Sequence, residues 1–262
     1  MSRPIITLTT DFGTSDSYVP AMKGVILSLC PEAVLVDISH EVEPQAVRQA
    51  AYLLSTAAPY FPPGTVHLAV VDPGVGSERW PIAVRTGRAT YVAPDNGVLS
   101  LVLEQEPALM AVHLTDPGYR LPEVSATFHG RDIFAPAAAH LARGIEPGQM
   151  GTPFSPARLV TLRGPLNLPQ QSGSWQGEIL HIDHFGNLVT SFRVSDSQGR
   201  LALSVAGQRI EPLHHTFADV DPGQRLIYRG SSGYLEVAVR EGNAAAELGV
   251  RVGDPVWVET LP

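Results

Sequence analysis

Cysteine and basic residues are scarce in this sequence, and each shortage excludes a class of protein. One cysteine, Cys30, among 262 residues rules out an intrachain disulfide and a metal site built from several thiolates. Lys and Arg number 18 against 26 Asp and Glu, which gives a formal net charge of -8 at pH 7. Because this charge repels phosphate groups and no Lys/Arg-rich run offsets it, we expect neither nucleic acid nor a membrane surface as a partner.

Long apolar runs and the common ligand-binding motifs are also missing. The sequence has no segment of membrane-spanning length and no signal-peptide hydrophobic region, so we expect a soluble, cytoplasmic protein. It lacks the glycine-rich dinucleotide and P-loop motifs, the His-Glu-x-x-His of zinc proteases and the Gly-x-Ser-x-Gly of serine hydrolases. Its nine histidines show no metal-ligand spacing, so no metal site is expected.

Strand-like and helix-like segments alternate in the first half of the chain. The β-rich runs cover 5–9, 33–38, 67–71, 81–85, 90–93 and 110–114, and the helical patterns cover 18–29, 45–58, 98–104 and 133–143. This order predicts an N-terminal Rossmann-like α/β domain with a mostly parallel sheet over residues 1–155. Proline-punctuated residues 156–171 are predicted to be a linker. Short alternating runs in residues 172–262 predict a smaller all-β domain, a barrel or a sandwich.

Acidic residues follow the predicted strands of the first half. The strands that precede Asp11, Asp37, Asp72 and Asp95 would share one sheet edge, so we expect several of these carboxylates at one crevice. Asp72 is the most informative, because it ends a buried apolar run and opens an Asp-Pro-Gly-Val-Gly turn that leads to Arg79. Taken alone, that segment is more simply explained by a tight turn with a solvated ion pair.

The segment Thr127–Phe134 carries His129 and Asp132 just ahead of a predicted helix. In the simpler interpretation, Asp132 steadies the helix N-terminus and His129 is an ordinary loop residue. In the alternative, Asp72, Arg79 and His129 surround one water: the carboxylate and the guanidinium position it while the imidazole handles its proton. These residues alone leave both interpretations open.

In the second half, Asp183, Phe185 and Asn187 interrupt a β-rich run, and a hairpin turn is the simplest interpretation. The functional alternative gives Phe185 a stacking face and Asn187 an amide for a heterocycle or an amino-acid head group. Residues 231–236 and 242–245 could line the same pocket, and Gly242 and Asn243 could equally be plain turn residues.

Six motifs occur in a fixed order along nearly the whole chain: Thr10-Asp11-Phe12-Gly13, Met22-Lys23-Gly24, Val71-Asp72-Pro73-Gly74-Val75-Gly76, Ala93-Pro94-Asp95-Asn96-Gly97, Phe128-His129-Gly130-Arg131-Asp132 and Asp183-His184-Phe185-Gly186-Asn187. Together they resemble the S-adenosyl-L-methionine hydroxide adenosyltransferase family, relatives of the fluorinating and chlorinating enzymes. The resemblance implies an N-terminal α/β domain, a C-terminal β-barrel and a homotrimer with active sites between subunits. It also implies that water or hydroxide attacks C5′ of the ribose of S-adenosyl-L-methionine (SAM), releasing adenosine and L-methionine. SAM is then the substrate, and no separate cofactor is needed.

By the same resemblance, Asp72, Arg79 and His129 surround the attacking water. A sulfonium is already a good leaving group, so neither an acid nor a metal is needed, and positioning the water is the main task. A guanidinium stays protonated at ordinary pH, which leaves Arg79 to position the nucleophile and Asp72 or His129 to take its proton. The resemblance further implies contacts with the ribose hydroxyls at Asp11, with the methionine and nucleoside at Asp183, Phe185 and Asn187, and with the adenine end at Ser231, Glu236 and Val239.

Two other functions compete with hydrolysis. The resemblance implies that SAM-dependent halogenases lack the Asp-Pro-Gly-Val-Gly…Arg and His-Gly-Arg-Asp combination and have a small dehydrated halide pocket instead. The charge of Asp72 also opposes a halide. A non-catalytic SAM or adenosine sensor would keep the pocket and report its occupancy to a partner. Release of adenosine without added halide would distinguish the hydrolase from both.

Overall fold

The structure is a computed structural model that describes residues 3–162, 168–169, 173–194 and 201–261. The chain divides into two compact units, residues 1–163 and 164–262, and each unit contains one sheet. Positions 163–167 and 170–171 of the predicted linker lie outside the described residues. Within the described ranges, no helix is both long enough and apolar enough to cross a membrane.

The N-terminal unit contains a seven-stranded sheet with helices on both faces. Its strands are β1 (Ile5–Thr10), β2 (Val34–Ser39), β3 (Val66–Val70), β4 (Pro81–Arg85), β5 (Thr90–Pro94), β6 (Met110–His113) and β7 (Thr152–Phe154). Its helices are α1 (Tyr18–Leu29), α2 (Val47–Ala57), α3 (Ser100–Gln105) and α4 (Ala135–Ala142), the last preceded by a π-helical turn at Gly130–Phe134.

The strand order is β2-β1-β3-β5-β4-β6-β7. Strands β1, β2, β3, β5 and β6 run in one direction, whereas β4 and β7 run in the other. The predicted α/β unit with a mostly parallel sheet is therefore confirmed. Strand β4 is antiparallel to β5 because only residues 86–89 connect them, and so short a link makes a hairpin rather than a crossover.

Packing on both faces explains why β3 is buried throughout and is apolar apart from His67. Leu68 and Val70 belong to the core under α1 and α4, with Met22 and Phe134. Ala69 of the same strand belongs to the core under α2 and α3. A strand that is buried on both faces has no solvent-facing positions, so its sequence does not alternate between polar and apolar residues.

The order β2-β1-β3 creates a point where the chain connections leave in opposite directions. The chain leaves β1 toward β2 on one side of the sheet, and it leaves β3 toward β4 and β5 on the other side. The two connections therefore diverge at the gap between β1 and β3. In open α/β sheets, ligands bind outside the carboxyl ends of the strands at such a gap. Asp11 follows β1 and Asp72 follows β3, so these two acids flank the crevice that the topology creates.

The C-terminal unit contains a nine-stranded sheet with the path β12-β11-β16-β9-β10-β15-β14-β13, and β8 pairs with β9 off this path. The strands are β8 (Leu168–Pro169), β9 (Ser174–Ile182), β10 (Leu188–Arg193), β11 (Leu201–Val205), β12 (Gln208–Ile210), β13 (Leu213–His214), β14 (Arg225–Arg229), β15 (Tyr234–Val239) and β16 (Pro255–Thr260). The first part of β9 pairs with β16 and its last residues pair with β10, as expected where a sheet curls.

The prediction of an all-β C-terminal unit is wrong in one respect, because residues Ala244–Leu248 form helix α5. The side chain of Asn243 accepts a hydrogen bond from the Ala246 N–H and so caps the helix start. Gly249 ends the helix in a left-handed conformation, with φ of +66°. The sequence pattern left Gly242 and Asn243 open between pocket lining and turn residues and did not indicate the helix, because capping residues are also turn residues.

Candidate active site

The turn after β3 holds a buried ion pair between Asp72 and Arg79. Arg79 Nε lies 2.9 Å from Asp72 Oδ1 and 3.0 Å from Oδ2, and Arg79 Nη2 also donates to Oδ2. The side chains of Arg79 and Asp72 are only 9% and 6% exposed. The simpler interpretation of this segment, a solvated ion pair, is therefore wrong: the pair is buried and its geometry is fixed by several charge-assisted bonds.

Two glycines let this turn pack closely. A Cβ at Gly74 would lie 3.1 Å from Arg79 Cγ, so the glycine leaves room for the arginine side chain. Gly76 has a φ of +78°, and a Cβ there would lie 2.9 Å from the carbonyl oxygen of Ala126. The turn can therefore contact the segment that leads to His129 only because position 76 lacks a side chain.

His129 completes a three-residue cluster with Arg79 and Asp72. Its Nδ1 lies 2.7 Å from Arg79 Nη2, although the two residues are far apart in sequence. Because a guanidinium only donates hydrogen bonds, Nδ1 accepts, and the proton of the neutral ring is on Nε2. Burial lowers the pKa of His129, the Arg79 charge lowers it further, and the Asp72 carboxylate partly opposes both effects.

Asp132 secures the loop ahead of His129. It lies inside the π-helical turn, it is fully buried, and its Oδ2 accepts a hydrogen bond of 2.8 Å from the Ser125 N–H. Arg131 Nε donates to its Oδ1 at 2.6 Å. The helical segment thus begins at Gly130, earlier than the sequence predicted, and π-helical turns are often found at functional sites.

Asp11 directly follows β1, as predicted, and its carboxylate binds a backbone N–H of another segment. Its Oδ2 accepts a hydrogen bond of 2.8 Å from the N–H of Gln45. Gln45 has a φ of +67°, a conformation that non-glycine residues seldom adopt. Asp11 therefore stabilises the unusual backbone that leads into α2.

The remaining acids of the predicted crevice have other partners. Asp37 pairs with Lys23 at 2.6 Å. Asp95 accepts a hydrogen bond of 2.9 Å from the Val160 N–H, and burial raises its pKa. Asp37 also lies 3.0 Å from His40 Nε2. Among the four acids, Asp72 is thus the one that binds an arginine in the described contacts, and that arginine in turn contacts a histidine.

In the C-terminal unit, Asp183, Phe185 and Asn187 form one tight turn after β9. Asp183 Oδ1 accepts hydrogen bonds from the N–H groups of Phe185 and Asn187 at 2.9 and 2.8 Å, and Oδ2 accepts from Asn187 Nδ2 at 2.8 Å. Gly186 has a φ of +84°, as this turn requires. The carboxylate holds the loop while the Phe185 ring remains 71% exposed.

The three residues assigned to the adenine end have unequal surroundings. Glu236 is buried on β15, and its Oε2 accepts a hydrogen bond of 2.5 Å from the Tyr228 hydroxyl. Burial raises the pKa of Glu236, the Tyr228 bond lowers it in part, and the Asp183 charge raises it. Ser231 is exposed, whereas Val239 is buried in the core of the unit. Tyr228 lies directly opposite Glu236 in the β14–β15 register, a pairing that no motif in the sequence indicates.

Among the described residues, no group of three or more His, Cys, Asp or Glu side chains is arranged to hold a metal ion. Cys30 is fully buried in the core beside α1, and this burial raises the pKa of its thiol. A buried thiol of raised pKa behaves as an apolar packing group.

Comparison with known proteins gives a consistent result over both units. The family model of the SAM hydroxide adenosyltransferase N-terminal domain matches residues 6–151, and that of the C-terminal domain matches residues 177–257. Relatives called (R)-S-adenosyl-L-methionine hydrolase occur in Salinispora tropica (42% identity, 97% of each chain covered) and in Thermus thermophilus (43% identity, 97% of this chain and 98% of the relative covered).

More distant relatives extend this comparison. A fluorinase from Actinoplanes is 30% identical over 97% of each chain. The crystal structure of an uncharacterized conserved protein from Thermotoga maritima is 35% identical, has a TM-score of 0.88 and covers 97% of this chain and 99% of its own. With both domain models matched and hydrolase relatives aligned over nearly their full length, this chain belongs to the SAM hydroxide adenosyltransferase family.

Proposed function

We propose that this protein hydrolyses SAM to adenosine and L-methionine, with water or hydroxide attacking C5′ of the ribose. The observation that carries the proposal is the contact of one arginine, Arg79, with both Asp72 and His129 at the crevice end of the sheet. The names of the full-length relatives at 42 and 43% identity support the same reaction.

The chemistry asks little of the protein beyond orientation. A bond forms between the water oxygen and C5′ while the bond from C5′ to sulfur breaks, and its electron pair neutralises the sulfonium as methionine leaves. The water loses one proton. Since the leaving group needs no acid, most of the catalysis comes from holding the water in line with C5′.

The cluster suggests how its members divide this task. The lone pair of His129 Nδ1 is used by Arg79, so Nε2 donates and can orient the water oxygen. Both oxygens of Asp72 accept hydrogen bonds from Arg79. Because an ionised carboxylate has about four acceptor sites, Asp72 can still accept a hydrogen bond from the water. We therefore assign proton acceptance to Asp72, orientation of the water to His129, and the fixing of both groups to Arg79.

The substrate contacts belong to the same proposal. Asp11 would hold the ribose hydroxyls, since it lies at the switch point of the sheet. Phe185 presents an exposed ring for stacking, and Asp183 with Asn187 supplies polar groups at the same turn. Glu236, Ser231 and Val239 complete the adenine end, with Val239 restricted to backbone contacts by its buried side chain.

We also propose an oligomeric state, a closed C-terminal sheet and a cellular location. The family resemblance suggests a homotrimer with active sites between subunits, a C-terminal sheet closed as a barrel, and a cytoplasmic location. Size-exclusion chromatography with light scattering tests the trimer directly: a mass of one chain at working concentration would contradict it.

Chromatography of the products tests the reaction itself. Pure protein incubated with SAM should release equal amounts of adenosine and methionine without added halide. Asp72→Asn should lose most turnover, whereas the matched variant Asp95→Asn, an acid at the end of the neighbouring strand β5, should retain it. Tight SAM binding without products would indicate a sensor, and halogenated adenosine that requires chloride or fluoride would indicate a halogenase.

A further inference from the structure

A cavity lies at the amino ends of β3 and β5, at the opposite edge of the sheet from Asp72. Its volume is ≈210 Å³, and its lining residues all belong to the N-terminal unit. His67 and Tyr91, the second residues of the two strands, are register partners and both line it. The proposed reaction uses none of these residues.

Three aromatic rings, of Phe61, His67 and Tyr91, form part of the wall of this cavity. The rings of His67 and Tyr91 stack at 5.0 Å, and the Phe61 ring meets His67 edge-on at 5.6 Å. Burial lowers the pKa of His67 to about 4, so its imidazole is neutral, and its Nδ1 lies 2.8 Å from the Thr7 hydroxyl. Such walls favour a flat, uncharged ring, which can meet them edge to face.

Two opposite charges also line the cavity. Arg88 Nη2 donates to the carbonyl oxygens of Pro59 and Phe61 at 3.2 and 3.3 Å, which holds the guanidinium in place. Glu106 Oε1 is buried and makes no hydrogen bond within the described part of the chain. The Glu106 charge adds to burial in raising the pKa of Tyr91, so the phenol stays protonated. A buried carboxylate oxygen without a donor is unfavourable, and a ligand N–H would relieve it.

We propose that this cavity binds a small, neutral heteroaromatic amine of nucleobase size, whose N–H group donates to Glu106 and whose ring nitrogen accepts from Arg88. A ligand of either charge is attracted by one of these two groups and repelled by the other, whereas a neutral ring with an adjacent donor and acceptor satisfies both. The cavity is smaller than the ~300 Å³ at which pockets for drug-sized ligands begin, which limits the ligand to one fused ring system.

Adenine is the probe, because its exocyclic amine lies beside a ring nitrogen, and unsubstituted purine, which lacks the amine, is its control. Calorimetric titration of the full chain is done with excess adenosine, which occupies the proposed adenine end of the active site and is too large for this cavity, and it should show adenine binding about ten-fold more tightly than purine. Glu106→Gln should weaken adenine binding by about ten-fold, because the amide accepts more weakly than the carboxylate. Glu104→Gln, at an exposed position of helix α3 just before Glu106, should leave it unchanged.

SAM turnover measured on the same variants separates this proposal from the proposed function. Turnover should be unchanged in Glu106→Gln, because the cavity lies at the far edge of the sheet from Asp72. Adenine binding that is equal in Glu106→Gln and wild-type protein, or absent at millimolar adenine, would overturn the proposal. Should Glu106→Gln not fold, wild-type crystals soaked in adenine decide: a ring against Glu106 supports the proposal, and a cavity that holds only water refutes it.

Discussion

Replacing Gly76 with alanine tests whether the turn after β3 must contact the segment that leads to His129. An alanine at φ of +78° costs about 1–2 kcal/mol of backbone strain. Its Cβ would also lie 2.9 Å from the carbonyl oxygen of Ala126, so the two segments must separate. Arg79 and His129 lie on these segments with Nη2 and Nδ1 2.7 Å apart, and a shift of about 1 Å breaks that bond.

Gly76→Ala should therefore lose much of its turnover while the protein remains folded. A misplacement of about 1 Å in catalytic geometry reduces a rate by up to ~100-fold, so we expect SAM turnover to fall by about 10- to 100-fold. The free energy of unfolding should fall by about 1–3 kcal/mol, which leaves a folded protein. Urea denaturation and product chromatography on one preparation measure both quantities.

Gly64→Ala is the matched control for backbone strain. Gly64 has a φ of +86°, and no heavy atom of the described structure lies within 4 Å of a Cβ built there. This variant should lose about 1–2 kcal/mol of stability and keep turnover within about two-fold of wild type. If Gly76→Ala keeps turnover within about two-fold of Gly64→Ala, contact between the two segments does not hold the cluster together, and the reasoning fails.

Three further results are expected. The pKa of His129, followed by NMR, should rise in Arg79→Gln and fall in Asp72→Asn, because the guanidinium lowers it and the carboxylate raises it; shifts of the opposite sign would refute the electrostatic account. SAM turnover should fall as the pH is lowered, with a midpoint below pH 6.5, because the pKa of His129 is lowered from 6.5 and protonation of its Nδ1 would break the bond from Arg79. A midpoint above pH 6.5 would contradict this. Asp183→Asn should lower the free energy of unfolding in urea by about 1–3 kcal/mol, because an amide nitrogen replaces an oxygen that accepts from Asn187; an unchanged value would show that these bonds do not hold the turn.

Local sequence pattern predicts most of the N-terminal unit but not the direction of every strand. The apolar run 67–71 became β3, and the helical pattern 18–29 coincides with α1. The antiparallel direction of β4 follows from its short link to β5, residues 86–89, and not from the periodicity of the strands themselves. Helix α5 was missed for a related reason, since five residues between Asn243 and Gly249 are too few to show a helical period.

In the candidate site, too, contacts between residues close in sequence are predictable and contacts between distant residues are not. Asp72 and Arg79 are seven residues apart, so one turn brings them together and the sequence alone suggests their pairing. His129 is fifty residues from Arg79, and only the order of the motifs connects them. The bond between Tyr228 and Glu236 depends on the register of β14 and β15, which the composition of two separate runs does not fix.

The contacts of Asp72 change the reason why the proposed site would take water rather than a halide. Charge repulsion by Asp72 is a weak argument, because Arg79 binds that carboxylate and neutralises much of its charge. The directions of the hydrogen bonds argue more strongly. His129 Nε2 donates, because Nδ1 accepts from Arg79, while Asp72 retains acceptor capacity. A water molecule between them both accepts and donates, whereas a halide accepts from His129 and leaves Asp72 without a donor. In the proposed reaction, selectivity for water therefore depends on one donor and one acceptor that Arg79 holds in place.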